Sequence, residues 1–327
     1  MSPASQESQP NLAAAIGARV TIRLHEASGG FRDIVGTLQR CGAGVNELLN
    51  SKGQIISFSE DEIAIWREIK PLPDRAGKGA PFSMRIQDLE QLSDLTWPAD
   101  EIKTIGKWRL RISDGFTMRA NSVLPTGAGP LGEPNVDLET AVDEVIKIYQ
   151  AAGLTPTFTL PLPIYGELDN YLAELGWKVK IGAEYLVNDI PEHLAFEGLD
   201  FQIKISSEPS PEWLAVQGDH QLERIMCNYP ARYAAVKHEG KLIGVGRIAT
   251  YKKWSLATRV FVDAEYRGKG IGTVLMRALM ATASDEGATK IGLQVDSENG
   301  AGLALYKSMG FRFHHSYNYR VLLDQSK

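Results

Sequence analysis

Residues whose types and spacing could do chemistry gather in the last third of this 327-residue chain. From Tyr266 to Thr273 it reads Tyr-Arg-Gly-Lys-Gly-Ile-Gly-Thr, after an apolar run over 257–262 and before a helical pattern opening at Val274. A strand, a glycine turn and a helix in that order bring unpaired N–H groups and the positive end of a helix dipole to one point. Glycine lets the backbone approach an oxyanion closely, and Arg267 and Lys269 add positive charge, so the segment suits a phosphate or diphosphate. Farther on, Ser297 or Asn299 can cap a second helical run that carries Tyr306 and stops at Gly310. A tyrosine hydroxyl can donate a proton; an asparagine can bond a ligand or cap its helix.

Two common phosphate motifs fail here. G-x-x-x-x-G-K-[ST] fails because Gly270 follows Lys269, and G-x-G-x-x-G fails because Thr273 or Leu275 stands where its last glycine belongs. R-x-x-G-x-G fits at Arg267, Gly270 and Gly272, and on these residues the segment resembles the acetyl-CoA motif of the GCN5-related N-acetyltransferases (GNAT). Asn299, Leu305-Tyr306 and Gly310-Phe311 are similar to that family's N-x-x-A-x-x-L-Y-x-x-x-G-F region. Gly302 departs from its alanine, and Ala264 stands where many relatives carry proline.

The resemblance covers about 199–325. It implies an α/β (α+β) acyl-CoA N-acyltransferase fold, acetyl-CoA as cosubstrate, and acetyl transfer to a primary amine by direct attack in a ternary complex. It also implies roles. Main-chain groups of Phe261 and Val262 would pair with the pantetheine arm and polarise the thioester. Amides from Arg267, Gly268, Lys269, Gly270, Ile271, Gly272 and Thr273 would hold the diphosphate. Asn299 would bond the pantetheine, and Tyr306 would protonate the departing thiolate. Some relatives place a glutamate in the fifth strand, where this chain has Gln294, which takes no proton at neutral pH. Asp296, Glu298, Asp219, Glu223 and a water relay remain as routes for the amine proton. A non-catalytic acyl-CoA-sensing or regulatory protein is the alternative function.

The remaining features mostly exclude. A formal net charge of −5, with 43% hydrophobic and 23% charged residues, describes an ordinary globular chain and gives no sign of nucleic-acid binding. Cys41 and Cys227 are the only cysteines, which argues against a disulfide framework. No apolar run reaches membrane-spanning length, and the polar N-terminus lacks a signal-peptide pattern, so a cytoplasmic protein is expected. No H-E-x-x-H or G-x-S-x-G occurs. His314 and His315, adjacent on an expected strand, should point to opposite faces and chelate poorly, so no metal is expected. The acceptor is expected to be an amine-bearing small molecule or peptide, selected by residues near 208–230 and 311–322.

These residues need elements to position them. Residues 1–16 read as a disordered lead and 17–70 as a small all-β barrel of five short strands, with Val20, Ile22 and Leu24 on one face. A Pro- and Gly-rich linker spans 71–83. Region 84–190 then matches region 199–327 at an offset of 134: Gly176-Trp177 falls on Gly310-Phe311, Tyr185 on Tyr319 and Gly153 on Gly287. The middle region therefore looks like a degenerate second copy, giving a tandem arrangement. Pro134, Val136 and Leu138 occupy the places of the three glycines, and Leu172 that of Tyr306. Such a copy should not bind CoA, and its expected work is to shape the acceptor cleft and cover the catalytic copy.

Overall fold

The computed structural model describes residues 12–26, 29–42, 44–50, 54–68, 85–191, 201–218 and 222–323, in two compact units that divide at Asp74. The expected linker at 71–83 lies outside the described residues. In the first unit, β1 (Arg19–His25), β2 (Phe31–Arg40), β3 (Asn46–Asn50), β4 (Ile55–Phe58) and β5 (Ile63–Glu68) form one antiparallel sheet in the order β4-β3-β2-β1-β5. Val20, Ile22 and Leu24 are fully buried on one face, with Leu38 and Leu48. Within the expected lead, Leu12–Ala15 form a 3-10 turn with Ala15 buried.

The sheet is open, which corrects the expectation of a closed barrel. Strands β4 and β5 lie at opposite edges and share no ladder. The 3-10 turn Glu60–Glu62 joins them, fixed by the Ser59 N–H donating to Glu62 Oε2 at 2.6 Å. Alternating apolar residues define a buried face equally well in a barrel and in an open sheet, so the pattern could not report closure.

The second unit begins with α1 (Ile86–Thr96), the hairpin β6 (Glu101–Ile105) and β7 (Trp108–Ile112), and β8 (Val123–Pro125). Next come α2 (Leu138–Ala151), β9 (Thr157–Leu162), α3 (Gly166–Glu174) and β10 (Lys178–Asp189). The remainder is β11 (Gln202–Ser206), α4 (Pro211–Val216), α5 (Leu222–Cys227), β12 (Arg232–His238), β13 (Lys241–Tyr251) and β14 (Trp254–Val262). It ends with α6 (Ile271–Asp285), β15 (Lys290–Asp296), α7 (Gly300–Ser308) and β16 (Arg312–Val321). All strands join one eleven-stranded sheet, ordered β11-β12-β13-β14-β15-β10-β16-β9-β8-β7-β6. Among the described residues no helix is long and apolar enough to cross a membrane.

That order shows an exchange. The offset of 134 holds for elements as it does for residues: α3 starts at Gly166 and α7 at Gly300, and the hairpin turns hold Gly106 and Gly240, both at positive φ. Yet β10 does not pair with β9, nor β16 with β15. Strand β10 runs antiparallel to β15, β16 runs antiparallel to β9, and β10 and β16 pair with each other at the centre. Each run of elements lends its last strand to the other's sheet.

Helices α6 and α7 cover Ile291, Leu293 and Val295 on one face of β15. The alternate residues Gly292 and Gln294 face the other way, toward α1, whose Leu89 and Leu92 pack with Tyr185, Val187 and Leu256. A Cβ at Gly292 would come 2.8 Å from Tyr185 Cε1, so only glycine lets that ring lie flat beneath α1.

Candidate active site

Strands β14 and β15 run parallel and pair from Trp254–Lys290 to Ala257–Leu293, then part. On its other side β14 carries a bulge against β13: Val245 faces Phe261 and Arg247 faces Thr258, so Arg259 and Val260 share the place opposite Gly246. Arg259 has φ +56°, a left-handed conformation uncommon for a side-chain-bearing residue. A bulge of this kind re-aims backbone and side chains toward a site.

Below the parting lies a cleft of about 580 Å³ lined by Val260, Phe261, Val262, the 266–273 turn apart from Lys269, Asn299 and Tyr306. Gly270 is the N-cap of α6 at φ +82° and offers no side-chain cap, leaving the Ile271, Gly272 and Thr273 amides without intrahelical partners. A Cβ built at Gly268 or Gly270 meets nothing within 4 Å, whereas one at Gly272 would come 2.7 Å from Leu305 Cδ2. The first two glycines thus leave room and positive φ for a ligand, and the third packs α6 on α7. Arg267 Nε donates to the Val262 carbonyl at 3.2 Å. Lys269 stands apart from the other expected residues: it does not line the cleft, and its Nζ lies 4.9 Å from the centre of the Tyr266 ring.

Asn299 caps α7, its Oδ1 accepting from the Gly302 N–H at 2.9 Å. A Cβ at position 302 would come 2.8 Å from Asn299 Nδ2, so an alanine here would shift that side chain. Tyr306 is 8% exposed, and burial pushes its hydroxyl up to about 12, so it stays protonated at neutral pH. Its ring packs against Phe311, with 5.7 Å between centroids.

A second cleft, of about 310 Å³, meets the first along β14: Ala257, Thr258 and Arg259 line it where Val260–Val262 line the other. Its remaining walls include Gln294, Arg119, Trp97 and Tyr319. Behind Gln294 lies a carboxylate that sequence reasoning missed. Glu90 of α1 is 5% exposed, Gln294 Nε2 donates to its Oε1 at 3.4 Å, and His315 Nε2 sits 2.8 Å from the same oxygen. One signal was available, because Glu90 lies on the apolar stripe of α1 with Ile86, Leu89 and Ser93, a costly place for an unpartnered carboxylate. The acids considered from sequence lie elsewhere: Glu298 and Glu223 are exposed, and Asp296 accepts from the Glu298 N–H in an exposed turn. Asp219 lies outside the described residues.

The histidine expectation is corrected. His314 and His315 do not point apart; their Nδ1 atoms are 2.9 Å from each other. The register of β16 against β10 shifts at this point, Tyr185 facing His315 and Leu186 facing Phe313, so His314 is the extra residue of a bulge. The bulge breaks the alternation on which the expectation rested. The pair is a hydrogen-bonded link to Glu90, and no group of three or more potential metal ligands is found among the described residues.

The corresponding helix end of the middle region is closed. The N-cap of α2 is Asp137, whose carboxylate accepts from the Thr140 N–H at 2.9 Å and is held below the usual range by that bond. An anion already belonging to the protein therefore sits where a phosphate would bind. Gln87 of α1 and the Tyr165 hydroxyl both donate to the Gly127 carbonyl, each at 2.8 Å, so the neighbouring loop is tied as well.

Comparison with known proteins agrees with this geometry. A family model described as "Probable histone acetyltransferase Rv0428c C-terminal" matches residues 83–320. The chain is 29% identical over 255 residues to "Uncharacterized N-acetyltransferase YobR" of Bacillus subtilis (strain 168), covering 72% of this chain and 98% of that one. It is 24% identical over 324 residues to "Probable histone acetyltransferase Rv0428c" of Mycobacterium tuberculosis, covering 93% and 94%. Among solved structures, a GCN5-related N-acetyltransferase from Kribbella flavida superposes with a TM-score of 0.58 at 14% identity, over 73% of this chain and 94% of that one. A tandem GNAT protein from the clavulanic acid biosynthesis pathway gives 0.50 at 14% identity, over 72% and 87%. The fold is thus the GNAT acyl-CoA N-acyltransferase fold, and the chain belongs to the GNAT-type acetyltransferase family whose model is described as probable histone acetyltransferase Rv0428c C-terminal.

Proposed function

We propose that residues 199–327 move an acetyl group from acetyl-CoA to a primary amine by direct attack, with both substrates bound together, and that 84–190 is a non-binding copy. One observation carries the reading: β14 and β15 part after Ala257 and Leu293, with an anion-ready turn on one side and, on the other, a cleft that holds Gln294, Arg119 and Arg259. Acyltransferase chemistry dependent on acetyl-CoA follows from the family and the fold.

Acetyl-CoA supplies the acyl group as a thioester. The Ile271, Gly272 and Thr273 amides and Arg267 bind its diphosphate, and the open sides of Gly268 and Gly270 admit it. Main-chain groups of Phe261 and Val262, and Asn299, orient the pantetheine arm. One preorganised amide donor at the thioester carbonyl lowers the barrier by roughly 3–4 kcal/mol. Tyr306, held protonated, gives its proton to the departing thiolate. The amine loses a proton through water beside Gln294 to Glu90, which His315 already holds by a hydrogen bond.

The test is calorimetric binding of acetyl-CoA followed by free-thiol release against a panel of amines. Submicromolar-to-micromolar binding with amine-dependent thiol release is expected. Binding without release from any amine would leave the sensing reading in its place.

A further inference from the structure

Two residues that line the second cleft each hold a buried polar atom with no partner among the described residues. Gln294 Oε1 and Arg259 Nε are inaccessible to solvent, and neither has a hydrogen-bond partner among the described residues. Buried groups of this kind are rare in native proteins, and each asks for an explanation. The amide orientation of Gln294 is fixed by its neighbour: turning it over would set its oxygen against the Glu90 carboxylate, so Oε1 is the atom turned away from Glu90. One orphan is therefore an acceptor and the other a charged donor, on the two strands that part.

Positive side chains predominate around them, with the Glu90 carboxylate acting on Arg119 from behind Gln294. Burial pulls the Arg259 guanidinium below its usual range, with no carboxylate to offset the cost. Among the described residues its side chain makes one long bond, from Nη2 to the Gln217 carbonyl at 3.5 Å, and Gln217 Nε2 in turn donates to the Arg259 carbonyl at 3.3 Å. Arg119 lines the same cleft, and Arg247, stacked 5.0 Å from the centre of the Trp97 ring, adds a third positive charge behind the wall. No acidic side chain lines the cleft among the described residues; Glu90 lies behind Gln294 and is engaged by His315. Around this polar pair the walls are Trp97, Met118, Ile181 and Tyr319.

We infer that the acceptor is a small amine that also bears a carboxylate, an amino-acid-like molecule whose amine N–H bonds Gln294 Oε1 and whose carboxylate pairs with Arg259 and Arg119. This deepens, and rests on, the reading of 199–327 as the catalytic copy. A guanidinium takes a carboxylate by paired, charge-assisted bonds, and a site built for such a group discriminates strongly against analogues that lack it. The volume of about 310 Å³ suits a molecule of that size with an apolar body. A polycationic peptide tail would instead set its charges against three arginines.

The experiment uses the full chain, acetyl-CoA and three matched sets of acceptors: the proteinogenic L-amino acids, their methyl esters and their decarboxylated amines. Thiol release reads turnover, and thermal shift in the presence of CoA reads binding. At least one free amino acid should exceed its ester and its amine by 100-fold or more in kcat/KM. Arg259→Gln should erase that preference by raising KM for the amino acid, with acetyl-CoA affinity unchanged. Esters or amines acetylated as well as the acids would overturn the inference while leaving the acetyltransferase reading intact. Acetyl-CoA binding with no thiol release from any set would count against that reading, and the thermal shifts then decide the inference alone: no shift from any amino acid overturns it.

Discussion

Glu90 and Gln294 are 204 residues apart in the chain and meet in the folded protein, Gln294 Nε2 lying 3.4 Å from Glu90 Oε1. The glutamine occupies the place in the fifth strand of the C-terminal copy where some similar proteins carry a glutamate. In the mechanism we propose, helix α1, outside that copy, supplies the carboxylate. Replacing Glu90 by Gln should lower kcat/KM roughly 100-fold near neutral pH, in the range expected for a general base. The deficit should shrink as pH rises and the free amine becomes abundant. A pH–rate profile from 6 to 10 checks this; a variant whose profile merely parallels the wild type would show that the proton leaves by another route.

Tyr306→Phe should lower turnover by about 100-fold or more with little change in acetyl-CoA affinity, because the hydroxyl acts on the leaving thiolate. Thiol release and calorimetry on the same preparation separate the two effects. A fully active variant would remove Tyr306 from proton donation and leave it as a core aromatic against Phe311.

Gly270→Asp should abolish acetyl-CoA binding, since it puts a carboxylate at the helix end where the diphosphate belongs. Gly270→Ala is the control: it carries the same cost of a side chain at φ +82° without the charge, and should retain measurable binding. In the middle copy, Asp137→Ala should cost about 1 kcal/mol of stability through the lost cap and leave acetyl-CoA affinity unchanged. New binding stoichiometry in that variant would mean that the carboxylate had been all that closed the second site.

Alkaline pH should destabilise the second unit before it affects proton donation. Burial raises the hydroxyls of Tyr233 and Tyr306 to about 12 and those of Tyr149, Tyr185 and Tyr317 in the same direction. A group whose pKa is raised by folding contributes stability that is complete below the unfolded value near 10 and is lost as pH climbs through the folded value. The chemical-denaturation midpoint should therefore be flat with respect to these groups from pH 7 to 9 and fall steeply between 10 and 12. Tyr306→Phe should soften that fall, by roughly 2–3 kcal/mol at most. A decline already complete by pH 9 would assign alkaline lability to other groups.

Much of the site could be read from the chain because its motif residues sit close together, between β14 and α7. Gly268, Gly270 and Asn299 needed only a strand, a turn and two helices to reach the cleft. The offset of 134 was legible for the same reason, since local patterns repeat without gaps through α3 and α7. Glu90 was not legible as a partner of Gln294, because nothing local connects a first helix to a fifth strand. The meeting of His314 and His315 depends on a one-residue register shift that alternation cannot encode. Nor could the destination of β10 be read: its period of two is satisfied equally beside β9 or beside β15.

That destination has a lasting consequence. With β10 lying between β15 and β16, the binding half finishes its sheet with a strand that belongs to the half without a phosphate turn. A gene shortened to 199–327 would leave the edge of β15 bare and β16 without β9, inviting association with a second molecule in place of the missing neighbour. The exchange ties the two halves together: neither completes its sheet without the other's last strand.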